Sequence, residues 1–382
     1  MFTFQNIYSA YLECRKNKRN THNALAFEMD LLQNLWQLHD ALNSRAYQIG
    51  QSICFLTTSP KLREVFAADF RDRVVHHILV RELEKIYESK FISDVYNNRK
   101  DKGIHKASKK AQSYMNATYG GYYLQLDIKG FFYNLDKNIL YSRLFNDIKD
   151  ISSDTRKSTK EAGLIVPNKK LDNILWLSYT IIHHNPTKNY HFKGDITKLS
   201  LLPAHKTLFK LPKHKGLAIG NLTSQFFANI YMNSFDNYIK RRLKVKHYIR
   251  YVDDFVLFDS SKERLEYLYM EIVDYLQRYL QLELRSDTKL KPHSMGLDFL
   301  GYIIRPDYML TRQRVVNNYK HKKAKYLDRY EALRGEMSLS EIKEFLSVKA
   351  SFESHTKHSN SYNLNQKIGA IHETNPFDYD RT

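Results

Sequence analysis

Cysteine is almost missing: Cys14 and Cys54 are the only two in 382 residues. Two thiols cannot staple a chain of this size, and the absence of any CxxC pair excludes the usual zinc spacings. No apolar run approaches the ~18 residues that a membrane-spanning helix requires. The opening Met1-Phe2-Thr3-Phe4-Gln5 lacks the basic stretch and apolar core of a secretory signal. A cytoplasmic protein with no membrane partner is expected. Internal repeats and low-complexity tracts are also missing, which excludes a repeat array.

What is present is a folding sequence with a strong charge bias. Hydrophobic residues make up 42% and aromatics 13%, enough for a substantial core and two or three domains. Sixty Lys and Arg face 41 Asp and Glu, a net charge of +19. A surplus of that size, spread along the chain, points to a polyanionic partner, above all nucleic acid.

The chemistry is concentrated in Tyr248-Ile249-Arg250-Tyr251-Val252-Asp253-Asp254-Phe255-Val256-Leu257-Phe258. Two adjacent carboxylates interrupt an aromatic and β-branched run, the pattern of two short strands joined by a tight turn. Neighbouring negative charges among apolar residues are costly without a compensating cation, and Mg²⁺ suits such a hard oxygen site.

Other landmarks follow in order. Residues 4–48 have helical periodicity, with Ala26, Met29, Leu32, Leu35, Leu38 and Leu42 on one face and a basic loop at Arg15–Asn20. Residues 50–70 alternate like strands, turn at Ser59-Pro60, and present Lys61 and Arg63 on one side of an extended segment. A helix runs from Arg71 to about Lys90; its adjacent His76 and His77 read as packing or surface residues. Arg99–Gly103 is a second basic loop. Tyr122–Leu126 is strand-like and ends on Asp127, and Asp136 is placed to cap the helix opening at Lys137. Residues 146–215 read as a basic insertion or long connection around an apolar helix at 171–184. A glycine-punctuated loop, Gly216–Gln225, leads into an amphipathic helix. Lys289 and Lys291 precede a strand pair over 296–304, and a strongly basic helical region starts near Arg312.

Tyr251-Val252-Asp253-Asp254 resembles the YxDD box of reverse transcriptases, and the collinear order of the other landmarks over roughly 50–305 resembles them too. The resemblance implies an α+β right-hand polymerase fold. Residues 1–120 would form N-terminal helices and fingers, 121–305 the palm with its insertion at 146–215, and 306–382 a helical thumb and tail. It implies an RNA-directed DNA polymerase using two Mg²⁺ ions, or Mn²⁺ in their place. Asp127 and Asp253 would be metal ligands, Asp254 a supporting one, and Ile128 a carbonyl donor. Lys61 and Arg63 would bind the triphosphate, and Phe132 would gate the ribose 2′-hydroxyl. Ile219 and Gln225 would flank the incoming dNTP. Lys289, or its neighbour Lys291, would protonate pyrophosphate, and Phe299, Leu300, Gly301 and Tyr302 would form the primer grip. The implied partners are an RNA template, a DNA or RNA primer and dNTPs.

One departure narrows the family. The loop reads Ile219-Gly220-Asn221-Leu222-Thr223-Ser224-Gln225 where many bacterial enzymes have Gln-Gly and then Ser-Pro. This resembles reverse transcriptases of diversity-generating retroelements and relatives in bacterial phage defence, and it predicts reduced fidelity. No nuclease, zinc or protease motif follows residue 305, so a structured non-coding RNA, an accessory protein or a second copy would come from outside. Defence is the expected setting, with diversification as the alternative. A silent RNA-binding scaffold is disfavoured because Asp127, Asp253, Asp254, Lys61 and Arg63 are all in place. Tyr362 and Tyr379 read as exposed tyrosines, not protein primers.

Overall fold

The computed structural model describes residues 1–16, 21–58, 61–161, 169–333 and 335–369. The tip of the first basic loop (17–20), the Ser59-Pro60 turn and Tyr379 lie outside the described residues. The chain forms two compact units, one of Met1–Ser93, Asp127–Lys244 and Met270–Ser286, the other of Asp94–Leu126, Val245–Tyr269 and Asp287–Thr382.

The first half contains α1 (Phe4–Arg15), α2 (His22–Met29), α3 (Leu31–Asn43), β1 (Ser52–Thr57), β2 (Arg63–Ala67), α4 (Phe70–Tyr87), α5 (Ile104–Ala117), β3 (Tyr122–Asp127), the one-turn α6 (Phe131–Asn134), α7 (Lys137–Glu161) and α8 (Lys169–His183). The second contains β4 (Tyr190–Phe192), α9 (Leu222–Asn237), β5 (His247–Tyr251), β6 (Asp254–Asp259), α10 (Lys262–Leu280), β7 (Lys289–Pro292), β8 (Leu297–Phe299), β9 (Tyr302–Ile304), β10 (Met309–Thr311), α11 (Gln313–Ala332), α12 (Leu339–Thr356) and α13 (Tyr362–Gly369). Mixed helices with mainly antiparallel sheets make the class α+β, as expected. Among the described residues no helix is long and apolar enough to cross a membrane.

In the first unit, helices surround a sheet of order β2-β1-β4. The single helical face expected from Ala26 to Leu42 is broken at Asp30, whose φ of −119° and ψ of 46° leave the helical region. The register resets there, so Met29 and Leu32 are 83% and 65% exposed while Leu35, Leu38 and Leu42 are buried. His76 of α4 is buried, and the half-buried His77 lies 3.7 Å from Glu13. Asp136 caps α7 as expected, accepting from the Asn138 and Ile139 amides at 2.8 and 3.1 Å. The 146–215 segment is more than a connection. Its β4 pairs in parallel with β1, Tyr190 opposite Ser52 and Phe192 opposite Cys54. Farther on, Thr207 and Leu208 donate to the buried Glu64 of β2 at 2.6 and 2.9 Å.

The second unit holds a four-stranded sheet, β5-β6-β3-β7, and a three-stranded one, β10-β9-β8. Tyr96, Tyr123, Phe258, Phe299 and Tyr302 share one core with α5 residues such as Ala107 and Met115. A smaller core at Val316, Tyr319, Phe352 and Ile368 joins the last three helices. The basic helix α11 is not cationic all round: Lys323 points inward and donates to the Ile368 carbonyl at 3.4 Å.

Candidate active site

The register of β5 against β6 pairs Tyr251 with Asp254, leaving Val252 and Asp253 as a two-residue turn. The flanking side chains Tyr248, Ile249, Phe255, Val256, Leu257 and Phe258 are all buried. That packing anchors the hairpin and leaves its two carboxylates half-buried at the tip. In the same sheet β3 lies between β6 and β7. The strand that ends on Asp127 therefore neighbours the one that begins at Asp254. Gln125 of β3 donates to the Asp254 carboxylate at 3.4 Å and to the Asp298 carbonyl at 3.0 Å. On the other side of β3, Lys289 is opposite Gln125 and Lys291 opposite Tyr123. Of the two lysines, Lys289 is nearer in register to the end of β3.

The β8–β9 hairpin turns at Leu300 and Gly301, with φ of 51° and 91°. Phe299 and Tyr302 are buried at its base. The Tyr302 hydroxyl pairs with His105 Nδ1 at 2.7 Å and donates to the His355 carbonyl at 2.9 Å. Of the four residues expected to form the primer grip, Phe299 and Tyr302 are buried and the Leu300–Gly301 tip is partly exposed.

The first unit carries the remaining expected residues. The carbonyl of Asp127 accepts from the Arg285 amide at 2.9 Å, and its carboxylate lies 3.7 Å from Arg285 Nε. Ile128 is buried and bridges Leu284. Gly130, at φ 54°, turns the chain into α6, where Phe132 is half-buried and edge-on to buried Phe131 at 5.4 Å. The glycine loop is sewn to both sides. Leu217 donates to the Phe132 carbonyl at 2.8 Å, and Phe66 of β2 donates to the Ile219 carbonyl at 3.0 Å. Gly220, at φ 115°, passes so close to β2 that a Cβ would meet Val65 at 2.7 Å. Asn221 accepts from the Ala68 amide at 3.0 Å. Phe132, Ile219 and the strand that starts at Arg63 are thus tied through backbone hydrogen bonds. Lys61 and Arg63 are exposed just before and at the start of β2, and Gln225 is exposed in the first turn of α9.

Among the described residues no three His, Cys, Asp or Glu side chains form a metal-holding group. The donors implied by the sequence are nevertheless the right kind for Mg²⁺. Asp127, Asp253, Asp254 and the Ile128 carbonyl offer only hard oxygen atoms.

Pattern reading missed Gln125, Arg250 and Asn97, which surround the turn. Arg250 left a trace, as a charge at a strand position whose neighbours are apolar. Asn97, in a polar run, left none.

A sequence model of the family described as reverse transcriptase (RNA-dependent DNA polymerase) matches residues 58–304, well over half of the chain. The chain belongs to the reverse transcriptase family. Its enzyme class is therefore RNA-directed DNA polymerase, and its α+β architecture is that of the right-hand polymerases. The reverse transcriptase is 24% identical over 348 residues to protein YkfC of Escherichia coli (strain K12), covering 81% of this chain and 80% of that one. It is 23% identical over 283 residues to the group II intron-encoded protein LtrA of Lactococcus lactis subsp. cremoris, covering 65% of this chain but only 45% of LtrA. Solved structures that match include telomerases from Candida albicans (TM-score 0.44, 12% identity, 85% of this chain and 55% of that one) and Candida tropicalis (0.45, 12%, 89% and 61%), each in complex with a fragment of telomeric RNA.

Proposed function

We propose that this reverse transcriptase extends a primer on an RNA template by two-metal nucleotidyl transfer. The observation that carries the reading is the YVDD turn beside β3, the strand that ends on Asp127. Asp127 and Asp253 would hold the ions, with Asp254 steadied by Gln125 and the Ile128 carbonyl as a further donor. Bound Mg²⁺ would activate the primer 3′-hydroxyl and neutralise the leaving pyrophosphate. The protein's own groups do the positioning. Lys61 and Arg63 grip the triphosphate, and Phe132 excludes a ribose 2′-hydroxyl. Ile219 and Gln225 border the nascent pair, Lys289 donates a proton to the leaving group, and the Leu300–Gly301 tip touches the primer. In this reading residues 1–120 act as fingers, 121–305 as palm and 306–382 as thumb.

The setting we propose is cytoplasmic phage defence with a dedicated non-coding RNA. An error-prone role in a diversity-generating retroelement is the second reading, favoured by Ile219 in the glycine loop. Primer extension on a primed RNA template with dNTPs and Mg²⁺ tests the chemistry. Asp253→Ala and chelation by EDTA should each abolish extension while RNA binding survives; extension by Asp253→Ala would mean that the metal assignment is wrong. Sequencing the RNA and DNA that copurify from cells tests the setting. One dominant non-coding RNA with a faithful copy supports defence, and a copy scattered with substitutions supports diversification.

A further inference from the structure

Val252, the first residue of the YVDD turn, has a φ of 61°. That is the left-handed region, where glycine is at ease and a β-branched side chain is a genuine outlier. Such a conformation persists only when its surroundings impose it, and here both of its polar backbone atoms are held. The Val252 amide donates to Asn97 Oδ1 at 3.0 Å. The Val252 carbonyl accepts from the Arg250 guanidinium at 2.9 Å.

Both holding groups are themselves fixed. Asn97 is 3% exposed and Arg250 is fully buried, an unusual place for a guanidinium. The Arg250 amide donates to the Asp94 carbonyl, and the Tyr96 amide donates to the Arg250 carbonyl, each at 3.0 Å. Segment 94–97 therefore runs alongside β5, with Val95 bridged in parallel to Arg250. The Asp94 carboxylate is anchored in turn by the Tyr114 hydroxyl at 2.7 Å. Asn97 is the last residue of this brace, and its side-chain oxygen takes the first amide of the turn.

We propose that Asn97, with Arg250 beneath it, is a positioning residue for catalysis: it clamps Val252 in the left-handed conformation and so aims the Asp253 carboxylate. Neither Asn97 nor Arg250 needs to touch substrate. They act through the backbone of Val252, and the inference rests on the reading of Asp253 as a catalytic carboxylate. Without the clamp Val252 relaxes towards negative φ, the peptide before Asp253 rotates, and the carboxylate swings away from the reacting atoms.

The test is a double-mutant cycle in primer extension on an RNA template. Asn97→Ala should lower kcat by about 10- to 100-fold while the KM for dNTP moves less than about threefold, the signature of impaired transition-state geometry. Asn97→Asp keeps an accepting oxygen and should stay within about fivefold of wild type. The decisive measurement is made with Val252→Gly, because glycine adopts positive φ without help. In that background the penalty of Asn97→Ala should shrink to less than about threefold. A merely structural loss in Asn97→Ala would persist in the Val252→Gly background, so recovery there is specific to the clamp. An equal penalty in both backgrounds, or none in either, overturns the proposal. Asp253→Ala separates the two levels. If it is inactive and the cycle shows no coupling, the clamp fails alone; if it extends primers, the reading beneath the clamp fails.

Discussion

Ile219 is the residue that most sets the glycine loop apart from the Gln-Gly pattern of many bacterial reverse transcriptases. Its carbonyl is tied to Phe66 on β2 and the neighbouring Leu217 to Phe132, while its side chain is half-buried. The backbone is thus fixed whatever the side chain, and under the proposed function the side chain is what a base pair would meet. An aliphatic group makes no hydrogen bond to the edge of a base or a sugar, so a mismatched pair loses little against a matched one. Ile219→Gln restores a polar contact without disturbing the backbone bonds. It should lower the misincorporation frequency by about 3- to 10-fold, the worth of one modest hydrogen bond, read by sequencing products on a defined template. An unchanged error spectrum would show that the loop does not set fidelity. At this scale the candidates legible in the sequence are those that stand out as side chains: Asp127, Asp253, Asp254, Lys61 and Arg63, by type and order. Asn97 was not, because its hydrogen bond is to the backbone of Val252, far along the chain, and no local pattern records that.

Among the elements, the informative one is β2, which binds the glycine loop through the Phe66 amide and the 204–210 segment through the Glu64 carboxylate. Burial raises the Glu64 pKa above the usual carboxylate value and outweighs the Thr207 and Leu208 hydrogen bonds that lower it. An acid with a raised folded pKa binds its proton more tightly when folded. Its contribution to stability is full below the unfolded value, about 4.5, and is lost as pH climbs through the raised one. Glu64→Ala leaves the buried Thr207 hydroxyl and the partly buried Leu208 amide without their acceptor and should cost about 2–3 kcal/mol, measured as a lower urea midpoint. The gap from wild type should narrow as pH rises from 4.5 towards neutrality; a gap that widens would reverse the assignment. The element also explains what pattern reading could and could not see. β5 and β6 were legible because β-branched and aromatic residues, interrupted only by Arg250, bracket the paired aspartates. β4 and β10 were not: each has three residues, too few to show alternation, and neither has the Gly296 and Gly301 punctuation that marks the equally short β8–β9 pair; β4 is held by a parallel pairing with a strand far earlier in sequence. The break at Asp30 was hidden because apolar residues continue across it in helical spacing.

The whole molecule carries +19, and that charge governs how it meets nucleic acid. Neutralising phosphates releases condensed counterions, so affinity falls steeply with salt, by about a factor of 10³ between 50 and 200 mM when about seven phosphates are neutralised. On α11 the cations Arg314, Lys320, Lys322 and Lys325 are exposed. Arg329 is paired with Glu341 at 2.5 Å, and Lys323 is turned inward. Lys320, Lys322 and Lys325 are therefore the cations of this helix to test as a phosphate-binding face. Replacing Lys320, Lys322 and Lys325 together by Ala should weaken RNA binding at low salt and flatten the plot of log Kd against log salt by about 2 to 3, roughly one for each phosphate left unneutralised. Lys323→Ala should leave that slope unchanged and lower thermal stability instead, since it removes a buried donor that joins α11 to α13. Asp253→Ala should also leave the slope unchanged, because a carboxylate in the turn releases no counterions from RNA. A slope that survives the triple substitution would move the nucleic-acid surface off α11 and onto the exposed cations elsewhere in the chain.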